Sequence, residues 1–135
     1  MLLLDLAQDY AATPVVGATG SDAALATLAA ALQPAGIGVV ALADVAGLVV
    51  MRLAACIVNQ ACELLTWSET RAADIDTSMQ LGMGYRTGPL AWGDAIGAQR
   101  LAQVLQHLQA HYGDPRYRRS PRLSAARHGG GPLHG

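Results

Sequence analysis

The 135-residue sequence predicts a mainly α chain, a multi-helix bundle over residues 46–135 preceded by a small strand–helix–strand (βαβ) unit over residues 1–45. Three observations carry this. From Gly47 onward apolar residues recur at the helical period. Before it, short apolar runs flank one Ala/Leu-rich stretch. Glycines and prolines fall mostly where helices would end or begin.

Leu2 to Leu6 and Pro14 to Ala18 are short apolar runs bounded by turn-formers. Ser21 to Gln33 reads as a helix, with Ser21 or Asp22 placed to cap it. Pro34-Ala35-Gly36 ends that helix, and Ile37 to Ala43 reads as a strand, completing a unit whose strands are expected to run parallel through a right-handed crossover. Two or three strands cannot cover both of their own faces, so the unit must lean on the helical part or on another chain.

A long helix is expected from about Leu48 to Thr66, on a stripe of Val49, Leu53, Ile57, Ala61, Leu64 and Leu65. It is apolar around so much of its circumference that it belongs at the centre of a bundle or at a subunit interface. Thr70 can cap a second helix to about Leu81, with Ile75 and Met79 facing inward and Gly82 and Gly84 ending it. Pro89 starts a short helix through Ile96, and Gly97 punctuates it. Ala98 to Tyr112 follows on Leu101, Val104, Leu105 and Leu108, and Gly113 stops it. Ser120-Pro121 opens a terminal helix to about Arg127, and the glycine-rich end from Gly129 is expected to fray.

Hydrophobic residues at 52% against 14% charged exclude a disordered chain, and with no Phe the core must be largely aliphatic. A net charge of -1 supplies no global attraction for nucleic acid or an anionic membrane. From Arg100 onward, however, Arg100, Arg116, Arg118, Arg119, Arg122 and Arg127 face a single acid, Asp114. This segment reads either as a nucleic-acid tail or as a solvated connection that pairs with acids earlier in the chain; no aromatic platform accompanies it, so no nucleic-acid partner is expected. Asp44 and Arg52 interrupt the longest apolar run, and no basic stretch precedes Leu2 to Leu4, so neither a membrane span nor a signal peptide is legible and a cytoplasmic location is the default. Cys56 and Cys62 lie about 9 Å apart along one helix, too far for a local disulfide, and read as small core hydrophobes.

Few residues suggest chemistry. His107 and His111 share a helix face at a zinc-compatible spacing, but neither a general base nor a third ligand accompanies them, so no metal is expected. His128 and His134 lie in the tail without a supporting pattern. Asp74 and Asp76 point to different helix faces and read as first-turn carboxylates facing their own helix N-terminus. The loop Gly84-Tyr85-Arg86-Thr87-Gly88-Pro89 is the most distinctive feature. Its glycines allow close backbone approach, and the following helix N-terminus would present free amides; a tight helix-to-helix turn would need the same glycines.

One resemblance ties these segments together. The run Asp74-Ile75-Asp76-Thr77-Ser78-Met79-Gln80-Leu81-Gly82-Met83-Gly84-Tyr85-Arg86-Thr87-Gly88-Pro89 resembles the DIDxxMxxGxGYxxGP segment of the helical C-terminal domain of 3-hydroxyacyl-CoA dehydrogenases, of the 3-hydroxybutyryl-CoA dehydrogenase kind. Ala46-Gly47-Leu48-Val49-Val50-Met51-Arg52 resembles the PGFxxNR stretch that opens that domain, and Tyr112 to Pro121 resembles its far end, so the similarity covers a little over half the chain.

The resemblance implies a parent reaction, the NAD-dependent oxidation of a 3-hydroxyacyl-CoA to the 3-oxoacyl-CoA in fatty-acid (β-oxidation) or aromatic-acid breakdown. It places Gly84, Tyr85, Gly88 and Pro89 beside the acyl-CoA, and implies a homodimer and a Rossmann domain on the same or another chain. NAD and the family's catalytic His and Glu belong to that Rossmann domain. The nearest approach here to its glycine turn, Gly17-Ala18-Thr19-Gly20, lacks the third glycine, so no cofactor and no catalytic residue is expected in this chain, which alone should be inactive. Met51 stands where the family has an asparagine, and methionine cannot hydrogen-bond comparably. Together with residues 1–45, which look like a sheet remnant, this implies the second, degenerate copy of the domain in a long member. A non-catalytic, stand-alone interaction module is the alternative.

Overall fold

In the computed structural model, residues 1–127 and 131–134 are described. The chain forms two compact units, Met1–Met51 and Arg52–Gly135.

The first unit holds β1 (Leu3–Leu4), β2 (Val15–Thr19), α1 (Asp22–Leu32) and β3 (Gly38–Ala41). The strand order is β1-β2-β3, with β1 antiparallel to β2 and β2 parallel to β3 in the register Val16↔Val39. The parallel β2–α1–β3 crossover is the one the sequence predicts. Ser21 caps α1 through its side chain, which accepts from the Ala24 N–H at 3.4 Å. Val16 and Ala18 are buried, whereas Leu3, Val15 and Val40 remain exposed, as expected of a sheet too small to cover itself.

Asp5 departs from the expectation of an apolar first run. It is buried, and its Oδ2 accepts from the N–H groups of Val49 (2.9 Å) and Val50 (2.7 Å) while Oδ1 accepts from Met51 (3.1 Å). These amides open α2 (Val50–Trp67), so a carboxylate more than forty residues away satisfies the donors that a helix start leaves over.

The second unit continues α2 and adds α3 (Ala72–Met83), α4 (Pro89–Ile96), α5 (Ala98–Tyr112) and α6 (Pro121–Arg127). Its core is aliphatic: Val58, Leu90, Leu101, Leu105, Leu108 and Leu123 are fully or almost fully buried. Of the predicted stripe only Ala61 lies among the buried residues of α2. Ala54, Ala55, Val58, Asn59, Ala61 and Cys62 are buried, whereas Leu53 and Leu64 are about half exposed, at 55% and 47%. The buried face of α2 is thus made mostly of small side chains, and the larger residues Leu53 and Leu64 lie outside it.

Helix α3 begins one residue later than Thr70 would dictate. Arg71, with extended backbone, precedes it and pairs with Asp74 through two 2.9 Å hydrogen bonds. Among the described residues no helix is long and apolar enough to cross a membrane.

Candidate functional site

The loop from Gly84 to Pro89 is built by the two helices it joins. Gly84 ends α3 in the left-handed conformation (φ 69°), where its N–H donates to the Met79 carbonyl. Gln80 donates to the Arg86 carbonyl at 3.2 Å, tying the loop back onto α3. Gly88 then precedes Pro89 at the first position of α4, where a missing N–H forfeits no intrahelical hydrogen bond.

Asp76 reorganises the sequence-based picture of this loop. It is buried at 4% exposure, and rather than facing its own helix start it reaches α4, accepting from Leu90 N–H (2.8 Å, Oδ1) and Ala91 N–H (2.9 Å, Oδ2). The helix start expected to present free amides to a ligand is therefore already capped by a carboxylate. The close approach requires Gly88: a Cβ there would lie within 2.5 Å of the Asp76 Cα and overlap its side chain. Asp74, two residues earlier, is surface-exposed, and Arg71 holds its carboxyl below the ordinary carboxylate range.

Beside this loop runs an apolar groove of about 370 Å³ between α2, α3 and the start of α4. Cys56, Ile57, Ala61 and Leu64 form one wall, Ile75 and Met79 the other, and Pro89 closes the end. Three residues of the predicted α2 stripe, Ile57, Ala61 and Leu64, thus line a surface depression. A second cleft, of about 590 Å³, lies where the start of α2 meets the end of α5. There the Arg52 guanidinium stacks 4.4 Å from the Tyr112 ring centroid and 5.6 Å from that of Tyr117.

Asn59 is buried at 2% exposure. Its Nδ2 donates to the Arg118 carbonyl and its Oδ1 accepts from the Ser120 N–H, both at 2.8 Å, so one amide satisfies a donor and an acceptor of the segment leading into α6. A lone Asn within an apolar face was the only signal for this in the sequence.

The remaining candidates fall in separate places. Met51 is half-buried and uses its backbone N–H on Asp5. His107 and His111 are exposed on α5, with His111 edge-on to Tyr112 at 4.6 Å, and among the described residues no three potential ligands group as a metal site would. His128 lies outside the described residues. Within the arginine-rich segment, Arg116 pairs with Asp114 (2.9 Å), Arg119 donates to Gln106 (3.2 Å), and Arg118 pairs with Glu63 (2.7 Å), an acid earlier in the chain. Cys62 is buried, and burial pushes its thiol up to about 11; Cys56 is only half-buried, on the wall of the groove, and its thiol is raised chiefly by the same desolvation.

The arrangement defines a helix-bundle domain with a carboxylate-capped loop beside an apolar groove. Residues 47–130 match the family model described as "3-hydroxyacyl-CoA dehydrogenase, C-terminal domain". The chain belongs to that family. It is 37% identical over 118 residues to 3-hydroxyadipyl-CoA dehydrogenase of Escherichia coli (strain K12), covering 87% of this chain and 25% of that protein. It is 32% identical over 106 residues to a probable 3-hydroxybutyryl-CoA dehydrogenase of Bacillus subtilis (strain 168), covering 78% of this chain and 37% of the relative. Among solved structures, 3-hydroxybutyryl-CoA dehydrogenase from E. coli K12 superimposes with a TM-score of 0.80 at 35% identity, over 93% of this chain and 27% of that one. The chain spans about a quarter to somewhat over a third of the length of these relatives.

Proposed function

We propose that this chain is the C-terminal portion of an NAD-dependent 3-hydroxyacyl-CoA dehydrogenase, in which residues 46–135 support dimerisation and close one side of an acyl-CoA cleft. Residues 1–45 would be the sheet remnant before a second copy of the domain. The observation that carries this reading is the groove ending at Pro89, because it sets an apolar surface beside the loop that matches the family's segment. Gly84, Tyr85, Gly88 and Pro89 would lie against the acyl-CoA, and Met51 would leave the family's asparagine function unfilled. The similarity to the E. coli relative extends into the first unit: 118 of 135 residues, wherever the alignment starts, must include roughly residues 18–45.

NAD fits this chain poorly. A Cβ on Gly17 would meet Leu42 Cδ1 at 2.5 Å, and one on Gly20 would meet the Met1 carbonyl at 3.1 Å, so the space beside both glycines is taken by the protein's own atoms and not by a cradle for a pyrophosphate. The chain by itself is expected neither to bind NAD nor to oxidise 3-hydroxybutyryl-CoA. Calorimetric titration tests this, and saturable NAD binding at micromolar to millimolar concentration would overturn it.

The exposed side of α2 supports the dimer reading. Leu53, Ile57 and Leu64 line up on the outer side of α2, and apolar area of this kind is commonly buried by a second copy across a two-fold axis. Sedimentation should show a dimer, and Ile57→Glu should split it, since a charge on the groove wall would be buried without a partner. A stable 14.0 kDa monomer of the unaltered chain at high micromolar concentration would exclude this arrangement.

A further inference from the structure

Residues 131–134, in the glycine-rich end expected to fray, are held against the helices. Gly129, Gly130 and Gly135 lie outside the described residues, but Leu133 is fully buried and its neighbour His134 is held with it. Asp94 on α4 accepts from both backbone N–H groups, Leu133 at 2.7 Å and His134 at 3.0 Å, and the Arg122 guanidinium on α6 donates to the Leu133 carbonyl at 3.1 Å. The side chain of Leu133 enters a slot that Gly93 keeps open: a Cβ on Gly93 would lie 2.9 Å from Leu133 Cδ1 and 2.7 Å from Val58 Cγ1. The slot thus reads a short stretch of extended backbone followed by one leucine, with a carboxylate for the amides and a guanidinium for the carbonyl.

The docked segment then touches the loop's own support. His134 Nε2 lies 3.5 Å from Asp76 Oδ2, the oxygen that accepts from Ala91 N–H at the start of α4. Asp94, the anchor of the segment, lies on that same short helix. One end of α4 is therefore clamped by Asp76, the middle by Leu133, and His134 spans the two.

We infer that residues 131–134 act as a strap that sets the start of α4, and with it the Gly84–Pro89 loop, by docking Leu133 beside Gly93 and His134 against Asp76. Detaching the strap removes the filling of the slot and one neighbour of the buried carboxylate, and both losses fall on α4. Asp94, Leu133 and His134 are in this sense positioning residues for the loop. Its relevance to substrate rests on the reading that the loop faces acyl-CoA.

Amide hydrogen exchange on the full chain without substrate separates the two ideas, since it reports the strap whether or not acyl-CoA binds. In Leu133→Ser the Leu90 and Ala91 amides should exchange about tenfold faster, while Ser120 N–H, held by Asn59, keeps its protection. Asp94→Asn and His134→Ala, which leave the core filled, should give smaller changes at the same two amides. Equal acceleration at Ser120, Leu90 and Ala91 in all three variants would make Leu133 an ordinary core residue and overturn the inference. So would unchanged Leu90 and Ala91 protection in Leu133→Ser.

Discussion

Gly88→Ala is expected to destabilise the helical unit by about 3 kcal/mol, from overpacking together with loss of the α4 cap. The added methyl would overlap the Cβ and Cγ of Asp76 and come within 2.5 Å of its Cα, and a Cα cannot swing aside as a flexible side-chain tip can. Helices α3 and α4 must then separate, which pulls the Asp76 carboxylate away from Leu90 and Ala91. Gly82→Ala supplies the contrast. Its Cβ would meet nothing within 4 Å, and inside α3 the same change should stabilise by roughly 0.5–1 kcal/mol. Urea unfolding of the two variants decides the matter, and a Gly88→Ala protein as stable as the parent would show that Asp76 does not need this approach.

Asn59→Leu should cost about 3 kcal/mol in the same measurement, because it leaves a buried donor and a part-buried acceptor without partners. The leucine occupies a similar volume, so cavity formation contributes little, and the loss reports the Arg118 carbonyl and the Ser120 N–H. Asn59→Asp is expected to be at least as damaging. It could still accept from Ser120, but it would set a buried carboxylate against the Arg118 carbonyl. The segment that Asn59 holds also carries Arg118, whose hydrogen bond keeps the Glu63 carboxyl below the usual carboxylate range; in Asn59→Leu that carboxyl should titrate closer to its ordinary value. Native stability in Asn59→Leu would mean that water serves these groups equally well.

Both sites show where reading along the chain succeeded and where it stopped. Helix α4 was legible to the residue, since Pro89 supplies a start and Gly97 a break through purely local chemistry. Helix α5 was equally legible, because the spacing of Leu101, Leu105 and Leu108 and the stop at Gly113 depend on no other segment. The resemblance that led to the family was likewise a property of the linear sequence, carried by the run from Asp74 to Pro89.

Partners distant along the chain were not legible. A one-dimensional period marks α2 as apolar on several faces without saying which of them turns inward, and the buried face is that of the alanines rather than of Leu53 and Leu64. Asp76 looked like a first-turn carboxylate because the sequence displays its distance from Ala72 and not its distance from Leu90. Asp5, in an apolar run, could not be assigned to amides at Val49 and Val50, nor Leu133, in a glycine-rich tail, to a slot beside Gly93. Local propensity and periodicity, which neighbouring residues set, were determined by the sequence alone. Only the tertiary structure decided which buried polar group satisfies which helix end, because that choice is made by packing between segments that the chain itself keeps far apart.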